Sequence, residues 1–142
     1  MSQSLYDKIE VTRLQSPAAA TTDNTAFVSQ IIDMAGFAGC VLIVTYGSIA
    51  DVDVTFTTLL EEGDNSALTD AAAVADADLL GTEAGANPLF SDDNKTFKLG
   101  YKGTKRYIRL TVTPAANSGN IFMAGIAIRE RAQSLGYATQ KV

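Results

Sequence analysis

The residues best suited to chemistry stand together in one segment, KLGYKGTKRYIRLTV (98–112). Its glycines, Gly100 and Gly103, have the G-x-x-G spacing of loops that clamp a nucleic-acid backbone, but such loops join two helices. A phosphate-binding P-loop needs a longer glycine spacing and a helix after it. Here the residues after the glycines alternate between apolar and polar, which predicts a strand. The context therefore argues against a phosphate-binding loop.

Basic side chains interleaved with aromatic rings are also typical of proteins that bind single-stranded nucleic acid. The basic candidates in this segment are Lys102, Lys105, Arg106 and Arg109. The whole chain, however, has a net charge of −5 and a pI of about 4.5. Nucleic-acid-binding domains are usually basic, so we expect no nucleic-acid partner.

The charges are distributed unevenly along the chain. From Leu14 to Asn94 there is no Lys or Arg, while thirteen of the 16 acidic residues fall there. Six of the 11 basic residues then follow between Lys95 and Arg109. Such blocks can form an interaction surface, or they can meet in space within one folded chain. Contacts between identical subunits would use both blocks, and the sequence leaves these interpretations open.

Catalytic and metal sites have few candidate residues. The chain has no histidine and a single cysteine, Cys40, which excludes Ser-His and Cys-His pairs and the common zinc sites. Cys40 lies in the apolar run GCVLIV, where we expect it to be buried. None of the acidic clusters follows the EF-hand spacing. We therefore predict no enzyme, no metal and no cofactor, although a hydrolase with paired carboxylates stays open.

The chain length of 142 residues fits one domain. We divide it into an extended N-terminal arm (1–24), a β-sandwich domain (25–128) and a polar C-terminal tail (129–142). No apolar run reaches 18 residues and no secretory signal is visible, so we predict no membrane partner and synthesis in the cytoplasm of the producing cell.

Two strands are predicted in the first half of the domain. Residues 39–46 are apolar on both faces, which favours a central strand buried on both sides. Residues 51–60 alternate, with Val52, Val54 and Phe56 on one face. The short GSIA link between the two strands predicts a hairpin.

The connection over residues 61–88 is the least regular part. Its alanine-rich stretch permits a short helix capped by Thr69 or Asp70. The alternative is an extended connection anchored by Leu79 and Leu80.

Strands are predicted again at 96–101 and 105–113, joined by a tight hairpin turn at residues 102–104. The last strand covers 120–128. The residues expected to point inward from 105–113 are Ile108, Leu110 and Val112, and those sharing one face of the last strand are Phe122, Ala124, Ile126 and Ile128. About seven short strands with many turns predict an all-β, antiparallel β-sandwich. The long 61–95 connection favours a jelly-roll-like version with an extended N-terminal arm.

Three consecutive segments resemble a family of small virion structural proteins from tailed bacteriophages and prophages. They are DAAAVADADLLGTEA (70–84), DDNKTFKLGYKGTKRYIRLTVTPAANSGN (92–120) and IFMAGIAI (121–128). The family shares the DADLLG segment and a GYxGxKRYxRL strand entry followed by a T-P-A-rich hairpin, which corresponds here to a hairpin loop at PAANSGN (114–120). Its members end in a short tail like GHPHxAPV, whereas this chain ends in RERAQSLGYATQKV. Contacts made by that tail are therefore not carried over.

The resemblance implies a capsid decoration (cement) protein with a β-sandwich or jelly-roll fold and no catalytic residues. Its implied partners are the major capsid protein and further copies of itself, often as a trimer, on the outer surface of the head. We expect Lys102, Lys105, Arg106 and Arg109 to contact acidic loops of a neighbouring subunit or the capsid. The alternatives are a phage neck, tail or head-fibre component, or a host-surface glycan-binding β-module.

Overall fold

The computed structural model describes residues 2–132, so residues 133–142 of the predicted polar tail lie outside the described part of the chain. One short helix, α1 (Ser2–Lys8), precedes the strands. The strands are β1 (Ile9–Gln15), β2 (Phe27–Val28), β3 (Ile32–Asp33), β4 (Phe37–Ile49), β5 (Thr55–Gly63), β6 (Ala72–Ala73), β7 (Leu79–Leu80), β8 (Thr96–Tyr101), β9 (Tyr107–Ala115) and β10 (Ile121–Arg131). Two 3₁₀ turns lie at Asp76–Asp78 and Ala84–Ala86.

The strands form two antiparallel sheets packed face to face. The first sheet has the order β1-β10-β4-β8-β7, and the second has the order β2-β9-β5-β6 with β3 also paired to β9. From β4 onward the long strands β4, β5, β8, β9 and β10 alternate between the two sheets, as in a jelly-roll-like sandwich. The predicted fold class, an all-β antiparallel sandwich, is confirmed.

The core lies between the inward faces of the two sheets. From β9 the predicted inward residues Ile108, Leu110 and Val112 are 0–2% exposed, as expected. They face inward residues of β4 such as Leu42 and Tyr46, each 1% exposed. The alternation of the strands therefore builds one continuous apolar layer, because every second residue points to the same face.

Cys40 is buried in this layer, as predicted. Burial disfavours the thiolate and raises the pKa of Cys40 to about 12. The thiol therefore behaves as a small apolar side chain.

The predicted hairpin between 39–46 and 51–60 is wrong. β4 belongs to the first sheet and β5 to the second, so the link between them arches across the sandwich. The arch is held by Asp51, whose carboxylate accepts hydrogen bonds from the backbone N–H and hydroxyl of Ser118, both at 2.7 Å. Strand β5 begins only at Thr55, and Val52, predicted to share a face with Val54 and Phe56, is 64% exposed in the link.

The predicted hairpin turn at residues 102–104 is wrong for the same reason. β8 pairs with β4 in the first sheet, whereas β9 pairs with β5 in the second. The predicted hairpin loop at 114–120 is wrong as well, since β10 pairs with β4 in the first sheet. A short polar link that contains glycine can join two strands of one sheet, as a hairpin, or two strands of different sheets, as an arch. In a hairpin the two flanking strands pair by hydrogen bonds, whereas in an arch their inward residues face each other across the core.

The long connection between β5 and β8 contains no α-helix, so the extended alternative is correct. Asp70, a candidate helix cap, instead accepts hydrogen bonds from the backbone N–H groups of Asp64 and Asn65, at 2.8 and 3.2 Å. Leu79 anchors the connection in the core at 7% exposure, whereas Leu80 is 55% exposed. This one-in, one-out pair forms β7 at the edge of the first sheet.

The N-terminal segment differs in part from the expected arm. Residues Ile9–Gln15 form β1, which pairs with β10 at the edge of the first sheet. Leu14 is 1% exposed, and its backbone carbonyl accepts a hydrogen bond from the N–H of Gln30 at 3.1 Å. The sequence IEVTRLQ does not predict this strand, because an edge strand needs few apolar residues and this segment is largely polar.

Candidate functional site

The link between β8 and β9, residues 102–106, crosses one end of the sandwich and carries most of the predicted site residues. The hydroxyl of Tyr101 organises this link. It donates to Glu62 at 2.6 Å and accepts from the backbone N–H of Lys105 at 3.1 Å. The ring itself is buried at 1% exposure. One buried tyrosine thus connects both sheets and the link between them.

The two glycines of the G-x-x-G motif are explained by packing. A Cβ at position 103 would lie 2.5 Å from the hydroxyl oxygen of Tyr101, and a Cβ at position 100 would lie 2.7 Å from the Cβ of Leu80. Both distances are shorter than atoms tolerate. Gly103 therefore lets the link close over Tyr101, and Gly100 leaves room for Leu80.

Three of the four predicted interface residues form ion pairs inside the chain. Lys105 lies 2.7 Å from Asp64, and Arg109 lies 3.1 Å from Glu61. Arg106 holds Asp33 through two hydrogen bonds of 3.1 Å and lies above the ring of Tyr107, 5.1 Å from its centre. The acidic and basic blocks of the sequence therefore meet in space within one chain.

Lys102, the fourth predicted residue, is exposed and makes no ion pair with any residue from 2 to 132. The side chains of Lys105 and Arg106 also keep 47% and 54% of their surface exposed. Their contact with a neighbouring subunit or a capsid stays a prediction. Lys102 is the residue that can test it without breaking a described ion pair.

The hydrogen bond from Arg106 lowers the pKa of Asp33, and the hydrogen bond from Lys105 lowers that of Asp64. The same contacts raise the pKa values of Lys105 and Arg106. Each shift favours the charged form, because the partner of opposite charge is within hydrogen-bond distance. Burial, followed by the contact with Glu62, raises the pKa of the Tyr101 hydroxyl.

These shifts predict a loss of stability in acid. A carboxyl group whose pKa is depressed by folding stabilises the native state above its unfolded pKa and loses that contribution as the pH falls through the folded pKa. We therefore expect the free energy of unfolding to decrease as the pH falls below 3.8, the ordinary pKa of an aspartate. Urea unfolding followed by circular dichroism from neutral pH to below this value measures it. The double variant Asp33→Asn, Asp64→Asn should show a shallower decrease, and an unchanged pH dependence would contradict the assignment.

The structure exposes a second surface that the sequence reasoning missed, on the outward side of the first sheet. We call it the outer face. It comprises Val11, Val41, Ile43, Leu80, Ile126 and Ile128. The predicted grouping of Ile126 and Ile128 with Phe122 and Ala124 is therefore correct, but this side points away from the core.

The inward residues of β10 are Ile121, Met123 and Ala127, each at most 4% exposed. Strand β4 is likewise not buried on both sides as predicted, since Val41 and Ile43 are only half-buried. The apolar character of β4 on both faces was the sequence signal for the outer face. Such a pattern predicts burial on both sides, because the sequence does not show what covers a sheet.

Other kinds of site find little support between residues 2 and 132. No three His, Cys, Asp or Glu residues in that range lie close enough together to hold a metal ion. Within the same range, no helix is long and apolar enough to cross a membrane. The candidate sites are thus the charged link and the outer face.

The fold that carries these surfaces is an antiparallel, jelly-roll-like β-sandwich. No protein-family model matches the chain, and no curated protein matches it in sequence. Among solved structures it is similar to the PBSX exported protein XepA, with 14% identity and a TM-score of 0.53, over 88% of this chain and 37% of XepA. The chain thus spans little more than a third of XepA, and the likeness establishes a shared fold.

Weaker similarities extend to two carbohydrate-binding modules. One is the C-terminal CBM6 of LamC from Zobellia galactanivorans, with 10% identity and a TM-score of 0.44, covering 85% of this chain and 100% of that one. The other is the CBM22-1 xylan-binding domain of Xyn10C from Paenibacillus barcinonensis, with 10% identity and a TM-score of 0.43, covering 87% and 81%.

Proposed function

We propose that this chain is a decoration (cement) protein of a tailed-phage head. It binds the outer surface of the assembled shell, contacts the major capsid protein, and stabilises the head by bridging coat subunits. It acts without catalysis, cofactor, nucleic acid or membrane. Copies of the chain assemble as a small oligomer, for which a trimer suits a three-fold position on the shell.

The observation that carries the proposal is the structural use of the residues that resemble the phage family. In the GYxGxKRYxRL segment, Gly100 and Gly103 are packing positions, Tyr101 joins the sheets, and Arg106 and Arg109 hold ion pairs. The shared segment thus maintains the sandwich itself. The resemblance to the phage family is therefore carried by residues that build the sandwich.

Two further observations support the same class. The sandwich shares its fold with XepA, an exported protein of the phage PBSX. The outer face supplies an apolar surface that a protein on a shell can bury. A ligand that binds the assembled state and not the free subunits shifts the equilibrium toward assembly, so bridging alone is sufficient for stabilisation.

The test uses heads of the encoding phage that lack this protein. Adding the purified chain should give co-sedimentation with the heads at many copies per particle, spread over the surface in electron micrographs. The shell should melt at a higher temperature in calorimetry after the addition. Free coat protein, the matched control, should not bind.

Three outcomes would contradict the proposal. They are absence of binding, an unchanged melting temperature, or a few copies confined to one vertex, which indicates a neck or tail component. Lys102→Glu, which leaves every described ion pair intact, measures whether the charged link contributes to the same binding.

A further inference from the structure

The outer face forms two rows across the first sheet. In one row the strand register places Leu80, Gly100, Val41, Ile128 and Val11 side by side. Paired residues of neighbouring strands project from the same side of a sheet, so four aliphatic side chains share this row. Gly100 contributes no side chain, and Leu80 lies over it, since a Cβ at position 100 would be 3.2 Å from Cδ1 of Leu80. We call this row the aliphatic stripe.

The neighbouring row is mixed in character. The register places Lys98, Ile43, Ile126 and Arg13 side by side in it. Two aliphatic residues in the middle are thus flanked by one basic residue at each end.

The exposure of these residues is unusual for the outward side of a sheet. Val11 and Leu80 are each 55% exposed, and Ile126 is 40% exposed. Antiparallel sheets that face water on one side normally carry polar residues there. Contiguous apolar surface on a folded protein marks a site of interaction.

The second sheet provides an internal comparison. Its outward positions on β5 and β9 include Thr55, Thr57, Thr111 and Thr113, together with the ion pair between Arg109 and Glu61. Val28 and Leu59 also point outward there, but Thr111 lies between them in the strand register. The outward side of the second sheet is thus mainly polar, whereas that of the first sheet carries the aliphatic stripe.

The charges that flank the outer face specify its partner further. Arg13 donates to the neutral side chains of Ser16 and Gln30, and neither Arg13 nor Lys98 pairs with an acidic residue in the described range 2–132. They stand three strand spacings apart, about 14 Å. In a chain of net charge −5, Arg13 and Lys98 thus form a positive edge along one side of the stripe, while the exposed Glu130 lies along its other side.

We propose that the outer face docks a protein surface of matching chemistry, apolar in the middle and bearing carboxylates about 14 Å apart that meet Arg13 and Lys98. This assignment rests on the proposed function in naming the shell as that partner. A second copy of the chain would bring its own Arg13 and Lys98 against this face, and the like charges would repel each other. The net negative charge of the chain disfavours nucleic acid and anionic membranes, which attract whole basic domains.

The experiment compares four proteins for binding to the decoration-free heads, each first checked for native circular dichroism. Ile126→Asp places a charge beside the stripe, and we expect binding about 30-fold weaker or more. Lys98→Glu removes one flanking base, and we expect binding about tenfold weaker with a smaller salt dependence. Val28→Asp is the matched control on the second sheet, at a residue 51% exposed, and should bind like the wild type.

The outcomes separate the two proposals. Absence of wild-type binding overturns the proposed function together with this assignment. Wild-type binding that survives both Ile126→Asp and Lys98→Glu overturns the outer face alone. Binding to DNA or anionic vesicles that is lost in the same variants would overturn a protein partner, and dimerisation abolished by Ile126→Asp would assign the face to a second copy. If Ile126→Asp does not fold, Lys98→Glu decides, since it alters an exposed side chain.

Discussion

Replacing Leu14 with alanine should lower the free energy of unfolding by about 2–5 kcal/mol, the usual cost of removing a fully buried leucine. Leu14 is 1% exposed, and its side chain packs so closely on Gly125 that a Cβ added there would lie 3.2 Å from a Leu14 methyl carbon. The total stability of small domains is about 5–15 kcal/mol. One substitution in a segment expected to be a peripheral arm therefore removes a large part of it.

Val11→Ala is the control for Leu14→Ala, because Val11 lies on the same strand but points outward at 55% exposure. It should change stability by less than about 1 kcal/mol. Far-UV circular dichroism in urea measures both variants, since the chain has no tryptophan to follow by fluorescence. Deleting residues 1–8, which precede β1, should leave the free energy of unfolding close to that of the wild type. Deleting residues 1–15, which include β1, should lower it strongly. Equal midpoints for Leu14→Ala and Val11→Ala would show that β1 is dispensable.

The second large effect is expected for Tyr101→Phe. The substitution keeps the buried ring but removes the hydroxyl that donates to Glu62 and accepts from the N–H of Lys105. Leaving such groups without partners costs about 1–3 kcal/mol. It also loosens the link that carries Lys102, so the link should exchange its backbone hydrogens faster in a mass-spectrometric measurement.

Tyr107→Phe is the matched control, because phenylalanine retains the ring beneath Arg106. It should leave both stability and hydrogen exchange close to those of the wild type. If Tyr101→Phe were equally silent, the hydroxyl would have no structural role, and the link would be held by its ion pairs.

The sequence was sufficient for the fold class because alternation is a local property of each strand. Ile108, Leu110 and Val112 point inward as their spacing predicts. Strand pairing was not predictable in the same way. The links after β4 and β8 have the length and composition of hairpin turns, yet both cross between sheets. The residues of a turn indicate that the chain reverses direction there. They do not specify which strand the following segment pairs with.

The candidate sites illustrate the same limit. The three basic residues of the link and Arg109 of β9 are evident in the sequence, but the distant acids Asp33, Glu61 and Asp64 that pair with three of these four are not. The outer face was hidden because Ile126 and Ile128 have the pattern of core residues. Whether an apolar strand face is buried depends on the layer above it, which no single segment encodes.

The pairing of β1 with β10 has a consequence for the order of events in the cell. Strand β1 can find its neighbour only when residues 121–131 have been synthesised. Contacts between such distant residues close a loop of nearly the whole chain and are slow to form. The first sheet thus completes only after β10 has been synthesised, and until then Leu14 lacks the neighbouring strand that covers it in the native sheet. Apolar surface that is exposed during folding promotes aggregation, so this interval is the one in which a chaperone would protect the chain.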